Sequence, residues 1–316
     1  MQQTTRTLCG SSLLWMAAAV LALSPLNLTG CGNDGETMGP GVSSSQRTYV
    51  DTSRQTPATT AYKGAATRTL RTRLWTPGTD ERLPLLLMAH GFGGTPEKFD
   101  AFARSIAAAG YVVAAPAFPL TNEDAPGGHE VGLRDFIHQP ADLSFVLDQL
   151  LAANEVANDP LHDRIDPGAV SVLGHSLGGV TTIALTRKNC CRDARIKATI
   201  LAAAVADLVT AFGIDPIATG PPTLILHGTA DKTIPYATAA PLYSAIAAPR
   251  YLVGLFGADH SEALESQLEP PITARAAAQQ ATAGFLDALF RSRTAEWQQI
   301  REQLTASGNT VLADPG

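Results

Sequence analysis

The sequence predicts an α/β fold: a mostly parallel, doubly wound sheet flanked by helices, with no large lid domain. Three observations lead there. The continuous apolar runs Leu83 to Ala89 and Tyr111 to Ala117 read as strands buried on both faces of a parallel sheet. Stretches with helical spacing of apolar residues alternate with such runs along the chain, as βαβ units require. With 316 residues, 45% of them hydrophobic, the chain is long enough and apolar enough to bury the core of one large domain.

In chain order, residues 1–30 read as a lipoprotein-type signal peptide, 31–46 as a flexible tether and 47–316 as the folded domain. Arg6 gives a positive start, and the apolar run Leu13 to Leu23 is too short to span a bilayer. Leu28-Thr29-Gly30-Cys31 resembles the bacterial lipobox, which implies diacylation of Cys31 and anchoring to a membrane of the cell envelope. The alternative is an ordinary cleaved signal, with secretion and an incidental cysteine. The Gly- and Ser-rich stretch from Gly32 to Gln46 has the composition of a linker.

Arg68 to Trp75 places Leu70, Thr72 and Leu74 on one face and Arg71 and Arg73 on the other, which predicts a half-buried antiparallel strand near a sheet edge. Between the two apolar strands, Glu97 to Ala109 sets Phe99, Phe102, Ala103 and Ile106 at helical spacing, and Gly110 ends it. A helix is predicted over Pro140 to Ala153, then a strand Val170 to Gly174, a helix to about Arg187 and a strand from Ile196 to about Ala204. A strand Thr223 to His227, a helix through Leu242 and Ile246, and a last strand Tyr251 to Phe256 follow. A helix from about Ile272 to Phe290 and an amphipathic tail, Trp297 to Leu304, close the chain. No internal repeat and no second domain is visible.

Two connections bear on function. The link from Ala204 to Thr223 leaves room for only a loop where related architectures insert a lid, so an open cleft is expected. The longer link from Phe118 to His138 is expected to border the site. The net charge of −6, with basic residues scattered, gives no footprint for nucleic acid. Cys190 and Cys191 are either a vicinal disulfide or two thiols, and no spacing of His, Asp and Glu suits a metal.

The chemistry centres on Gly174-His175-Ser176-Leu177-Gly178-Gly179, which joins a strand to a helix. This is G-x-S-x-G in the context it needs. The serine sits on a sharp turn, its hydroxyl lifted above the sheet at the positive end of a helix. A hydroxyl is a weak nucleophile; it needs a base, and the base needs an orienting acid. Asp231 follows the strand Thr223 to His227, and His260 follows the strand ending at Phe256, so both stand at strand C-termini where sites in parallel sheets gather. Asp207 competes with Asp231 for the acid, while Asp259 is expected to cap its loop and His227 to pack at a strand end. His129 and His138 lie in the site-bordering link, and His162 in a polar loop. The oxyanion of acyl transfer needs two donors, expected from the N–H groups of Leu177 and of Phe92 in His90-Gly91-Phe92-Gly93-Gly94. Phe92 and His175 are further expected to contact substrate.

Together these residues resemble the α/β-hydrolase superfamily over nearly all of the mature chain. Within it the sequence is similar to the bacterial group of dienelactone hydrolases, platelet-activating-factor acetylhydrolases and lidless polyesterases. Supporting segments are Asp51-Thr52-Ser53-Arg54, Arg68-Thr69-Leu70, Leu74-Trp75-Thr76-Pro77, His90-Gly91-Phe92-Gly93 and Asp135 to Asp142. Dienelactone hydrolases use a cysteine nucleophile; Ser176 departs from that and favours ordinary esters.

The expected activity is hydrolysis of a carboxylic ester through a Ser176–His260–Asp231 triad and an acyl-enzyme, without cofactor or metal. The expected substrate is a small-molecule, lipid or polymer ester, and a monomer is expected. Polyester or phospholipid hydrolysis, peptidase or amidase action, and a non-catalytic binding protein on the same scaffold are the alternatives.

Overall fold

A computed structural model describes residues 41–204, 206–213, 216–267 and 273–316. The expected signal segment, Cys31 and most of the expected tether lie outside them. The strands are β1 (Ser43–Asp51), β2 (Arg68–Thr76), β3 (Leu83–Ala89), β4 (Val112–Pro116), β5 (Ile165–His175), β6 (Ile196–Ala202), β7 (Thr223–Gly228), β8 (Arg250–Leu255) and β9 (Thr310–Asp314). The helices are α1 (Asp100–Ala108), α2 (Gln139–Asn154), α3 (Leu177–Arg187), α4 (Ala239–Ala245), α5 (Glu262–Glu265), α6 (Thr273–Phe290) and α7 (Thr294–Ala306).

The strands form one sheet in the order β1-β2-β4-β3-β5-β6-β7-β8-β9. The centre from β4 to β8 is parallel; β1, β2 and β9 run antiparallel to their neighbours. This is the doubly wound α/β-hydrolase arrangement. Every residue of β3 and β4 is buried, because helices cover both faces. Successive side chains serve opposite layers. Leu86 and Met88 join Phe102, Ile106 and Phe285 of α1 and α6, whereas Leu85 and Leu87 join Leu143 and Leu147 of α2. Farther along the sheet, Leu201, Ile225 and Leu252 pack on Val180 and Ile183 of α3 and Leu242 of α4.

The alternation in β2 holds, with one addition. Arg68 shares the buried face with Leu70, Thr72 and Leu74. It is fully buried and paired with Asp135 at 2.9 Å and Asp142 at 2.6 Å, and Arg54 reaches Asp142 at 2.8 Å. Burial opposes the Arg68 charge, and the two carboxylates more than offset it, so its pKa is raised. This cluster ties β2 to the start of α2 and fixes the preceding link.

Two edge strands correct the sequence reading. β1 begins at Ser43, inside the stretch expected as tether, and pairs along its whole length with β2, from Ser43–Thr76 to Asp51–Arg68. Its mostly polar side chains suit an exposed edge, where backbone pairing needs no apolar run. Likewise β8 is not the last strand, since β9 pairs antiparallel with it from Arg250–Asp314 to Gly254–Thr310. The link between β6 and β7 holds a single short 3-10 turn among its described residues, Asp207–Phe212. Cys190 and Cys191 are joined by a disulfide in the turn after α3.

Candidate active site

The site begins with close packing at the end of β5. A Cβ on Gly174 would stand 2.1 Å from the Gly178 oxygen, and one on Gly178 only 2.2 Å from the Ala89 oxygen. Only glycine lets α3 start so close to β5 and β3. Between these glycines Ser176 takes φ 53° and ψ −116°, a strained conformation for a residue with a side chain. Its N–H donates to Ala202 O at 2.9 Å and its carbonyl accepts from Gly179 N at 2.9 Å, so the turn is held from both sides. The side chain is half-buried at the N-terminus of α3.

Asp231 and His260 arrive on two loops tied to each other. Ala230 N–H donates to Ala258 O at 2.9 Å, and Gly257 N–H donates to Thr229 Oγ1 at 2.8 Å. His260 Nδ1 lies 2.8 Å from Asp231 Oδ2, while Asp231 Oδ1 accepts from the N–H groups of Thr233 and Ile234, each at 2.8 Å. Burial works to raise the Asp231 pKa, but the His260 contact and the two backbone donors outweigh it and hold the carboxyl below its ordinary value. His227 is packed beneath: its Nε2–H donates to Ile234 O at 2.8 Å, bracing the Asp231 turn. Asp207 is exposed on the neighbouring link, and Asp259 caps α5, accepting from the Ser261 and Glu262 N–H groups at 2.9 Å each.

The loop after β3 supplies the other wall. Gly93 N–H donates to Thr121 O at 2.8 Å and Gly94 N–H to Gly91 O at 3.0 Å, whereas the N–H groups of Phe92 and Leu177 have no acceptor among the described residues. Gly93, at φ 68°, lets the loop pass against His129, where a Cβ would be 2.8 Å from Nε2. The Phe92 ring meets His129 edge-on at 5.0 Å and is 40% exposed. The link from Phe118 to His138 therefore does border this loop. His138 is half-buried, and its carbonyl accepts from Arg54. His162 sits elsewhere, against Asn154.

Three residues that the sequence reading did not single out shape the loop. His90 donates from Nδ1 to Gly91 O at 2.7 Å and accepts the Phe118 N–H on Nε2 at 3.0 Å, which fixes a neutral ring. Gln139, fully buried, bridges Thr121 Oγ1 at 2.7 Å and Thr181 Oγ1 of α3 at 2.5 Å. Glu265 stands against His175. The local signal for His90 was its place in the glycine-rich motif and for Gln139 its place in the segment Asp135 to Asp142; for Glu265 there was none.

His175, expected to touch substrate, is corrected by the structure. It is 3% exposed, and its ring faces His260 and Glu265 rather than a cleft. As a strand residue one position before Ser176, it points away from the turn that lifts the serine. Ser176 Oγ forms no hydrogen bond among the described residues; in unliganded hydrolases that contact often tightens only on substrate binding.

A serine on a strained strand–helix elbow, with a carboxylate–histidine pair at the adjacent strand ends, defines a hydrolase of the α/β class. The chain belongs to the PET hydrolase-like family, whose model matches residues 86–278. It is thus a carboxylic ester hydrolase in the broad sense. No curated protein matches the chain.

Proposed function

We propose that this hydrolase cleaves esters through an acyl-enzyme on Ser176. His260 takes the serine proton and returns it to the leaving alcohol; Asp231 holds the imidazole in the required tautomer and stabilises its charged form. The N–H groups of Phe92 and Leu177 bind the oxyanion, and the Phe92 ring lies against the acyl chain. Water then releases the acyl group. The observation that carries this reading is the 2.8 Å His260–Asp231 contact, with the second Asp231 oxygen saturated by backbone donors.

Polyester chains are the substrate class that the family and the exposed Phe92 ring beside the site support best. Against a soluble short-chain ester, the protein is expected to act also on an insoluble polyester film. The lipobox-like Leu28 to Cys31 supports a second part of the reading: a lipid anchor on Cys31.

The test is treatment with an organophosphonate during hydrolysis of p-nitrophenyl esters. Activity is expected to vanish with one adduct on Ser176, and Ser176→Ala is expected to lose at least about 10⁴-fold in kcat. Full esterase activity in Ser176→Ala would sink the proposal.

A further inference from the structure

His175 and Glu265 form a second histidine–carboxylate pair beside the first. The His175 ring lies 4.9 Å from the His260 ring, tilted 44°, and its Nε2 is 2.9 Å from the His260 carbonyl oxygen. A carbonyl only accepts, so Nε2 carries a proton. On the other side of the ring, Glu265 Oε1 is 3.1 Å from Nδ1, though off the axis of an aligned hydrogen bond. The carboxylate thus lies against the ring edge opposite the one that meets His260. Both side chains are largely buried, 4% and 18% exposed.

We propose that Glu265 and His175 act on His260 as positioning residues, holding its main chain while Asp231 holds its ring. This rests on the reading of His260 as the base. Glu265 keeps the His175 ring fixed; the Nε2–H then anchors the His260 carbonyl. His260 is thereby held at two points, from β5 and from the loop after β7. Glu265 is placed for this by α5, its N–H donating to Ser261 O at 2.8 Å. Burial tends to raise the Glu265 pKa, but His175 and the charge of Lys98 outweigh it and keep the carboxyl low. The other titratable groups facing the pair are His90 and Lys98 on the loop side and His260 itself, with Asp231 and His227 behind it.

Glu265 also sets charge near the base, so the two halves of the pair have different signatures. Glu265→Gln removes a negative charge close to His260 and is expected to move the acid limb of kcat/KM to lower pH. His175→Phe keeps a ring in place but removes the Nε2–H donor to the His260 carbonyl, and is expected to lower kcat with that limb nearly unmoved. Each is expected to lower kcat about tenfold with KM nearly unchanged, the size of one lost positioning hydrogen bond. In a folded Glu265→Gln, a parent kcat, or a loss of kcat with an unmoved acid limb, overturns the proposal. If Glu265→Gln does not fold, His175→Phe decides alone: a parent kcat overturns the proposal, and a lowered kcat at unchanged KM supports it. A His260→Ala control separates the two readings. If it is inactive while Glu265→Gln and His175→Phe match the parent, only the positioning role fails; if it is active, the triad reading fails first.

Discussion

At the scale of single residues, the stability of the site is written into its buried histidines. His90 is 1% exposed, and burial, only partly opposed by its bond to the Gly91 carbonyl, pushes its pKa from 6.5 down to about 4. In the unfolded chain the same imidazole protonates near 6.5, so as pH falls the unfolded state takes the proton first. The stabilisation is therefore complete above about 6.5 and lost between there and about 4, a change on the order of 3 kcal/mol. His227, also depressed by burial, adds in the same direction. Urea unfolding at pH 7 and pH 4.5 is expected to show a smaller pH dependence in His90→Gln than in the parent; equal slopes would remove His90 from this role. The same scale shows what could be read in advance. Ser176, Asp231 and His260 were legible because the glycines and strand ends that place them are local in sequence. The roles of His90, Glu265 and Gln139 were not, because their partners, such as Phe118, His175 and Thr181, are 28, 90 and 42 positions away.

At the scale of elements, the buried parallel strands were legible because burial on both faces forces a continuous apolar run. The edges β1 and β9 were not: each earns its place by backbone pairing, and their side chains are mostly exposed. β9 nevertheless bears on the site. Asn309, just before it, accepts the Phe256 N–H on Oδ1 at 3.1 Å and donates to Leu304 O at 3.1 Å. It thus fixes the exit of β8, four residues before His260. Ending the chain at Ala306 would remove this clamp and strip β8 of its outer partner. The expected result is a loss of roughly 2 to 4 kcal/mol in urea unfolding, from several backbone hydrogen bonds of about 1 kcal/mol each. Self-association through the bare β8 edge should appear in light scattering, and kcat should fall. A parent-like unfolding midpoint in a monomeric truncated chain would show that the edge is dispensable.

At the scale of the whole molecule, the question is how much of the chain the chemistry needs. Residues 39–316 form one compact unit, and the three hydrophobic clusters lie within it, two packed by α1, α2, α6 and α7 around the middle of the sheet and one by α3 and α4. The cluster under α3 includes Phe136, Val209 and Phe212, so the links on both sides of Ser176 are bound to the same core as the elbow. Among the described residues, those that build these clusters lie between Val42 and Val311. Folding and turnover should then be separable from location, which the proposed anchor assigns to Cys31. A chain beginning at Gly41 is expected to keep the kcat of the full-length protein on a soluble p-nitrophenyl ester and to remain in the soluble fraction. The full-length protein made in bacteria is expected to pellet with membranes and to incorporate a clickable palmitate analogue, and Cys31→Ala is expected to lose both. Retention of label and membrane association in Cys31→Ala would refute the anchor without touching the fold. Loss of folding in the chain from Gly41 would instead mean that the N-terminal segment contributes to the core, and the boundary between tether and enzyme would have to be redrawn.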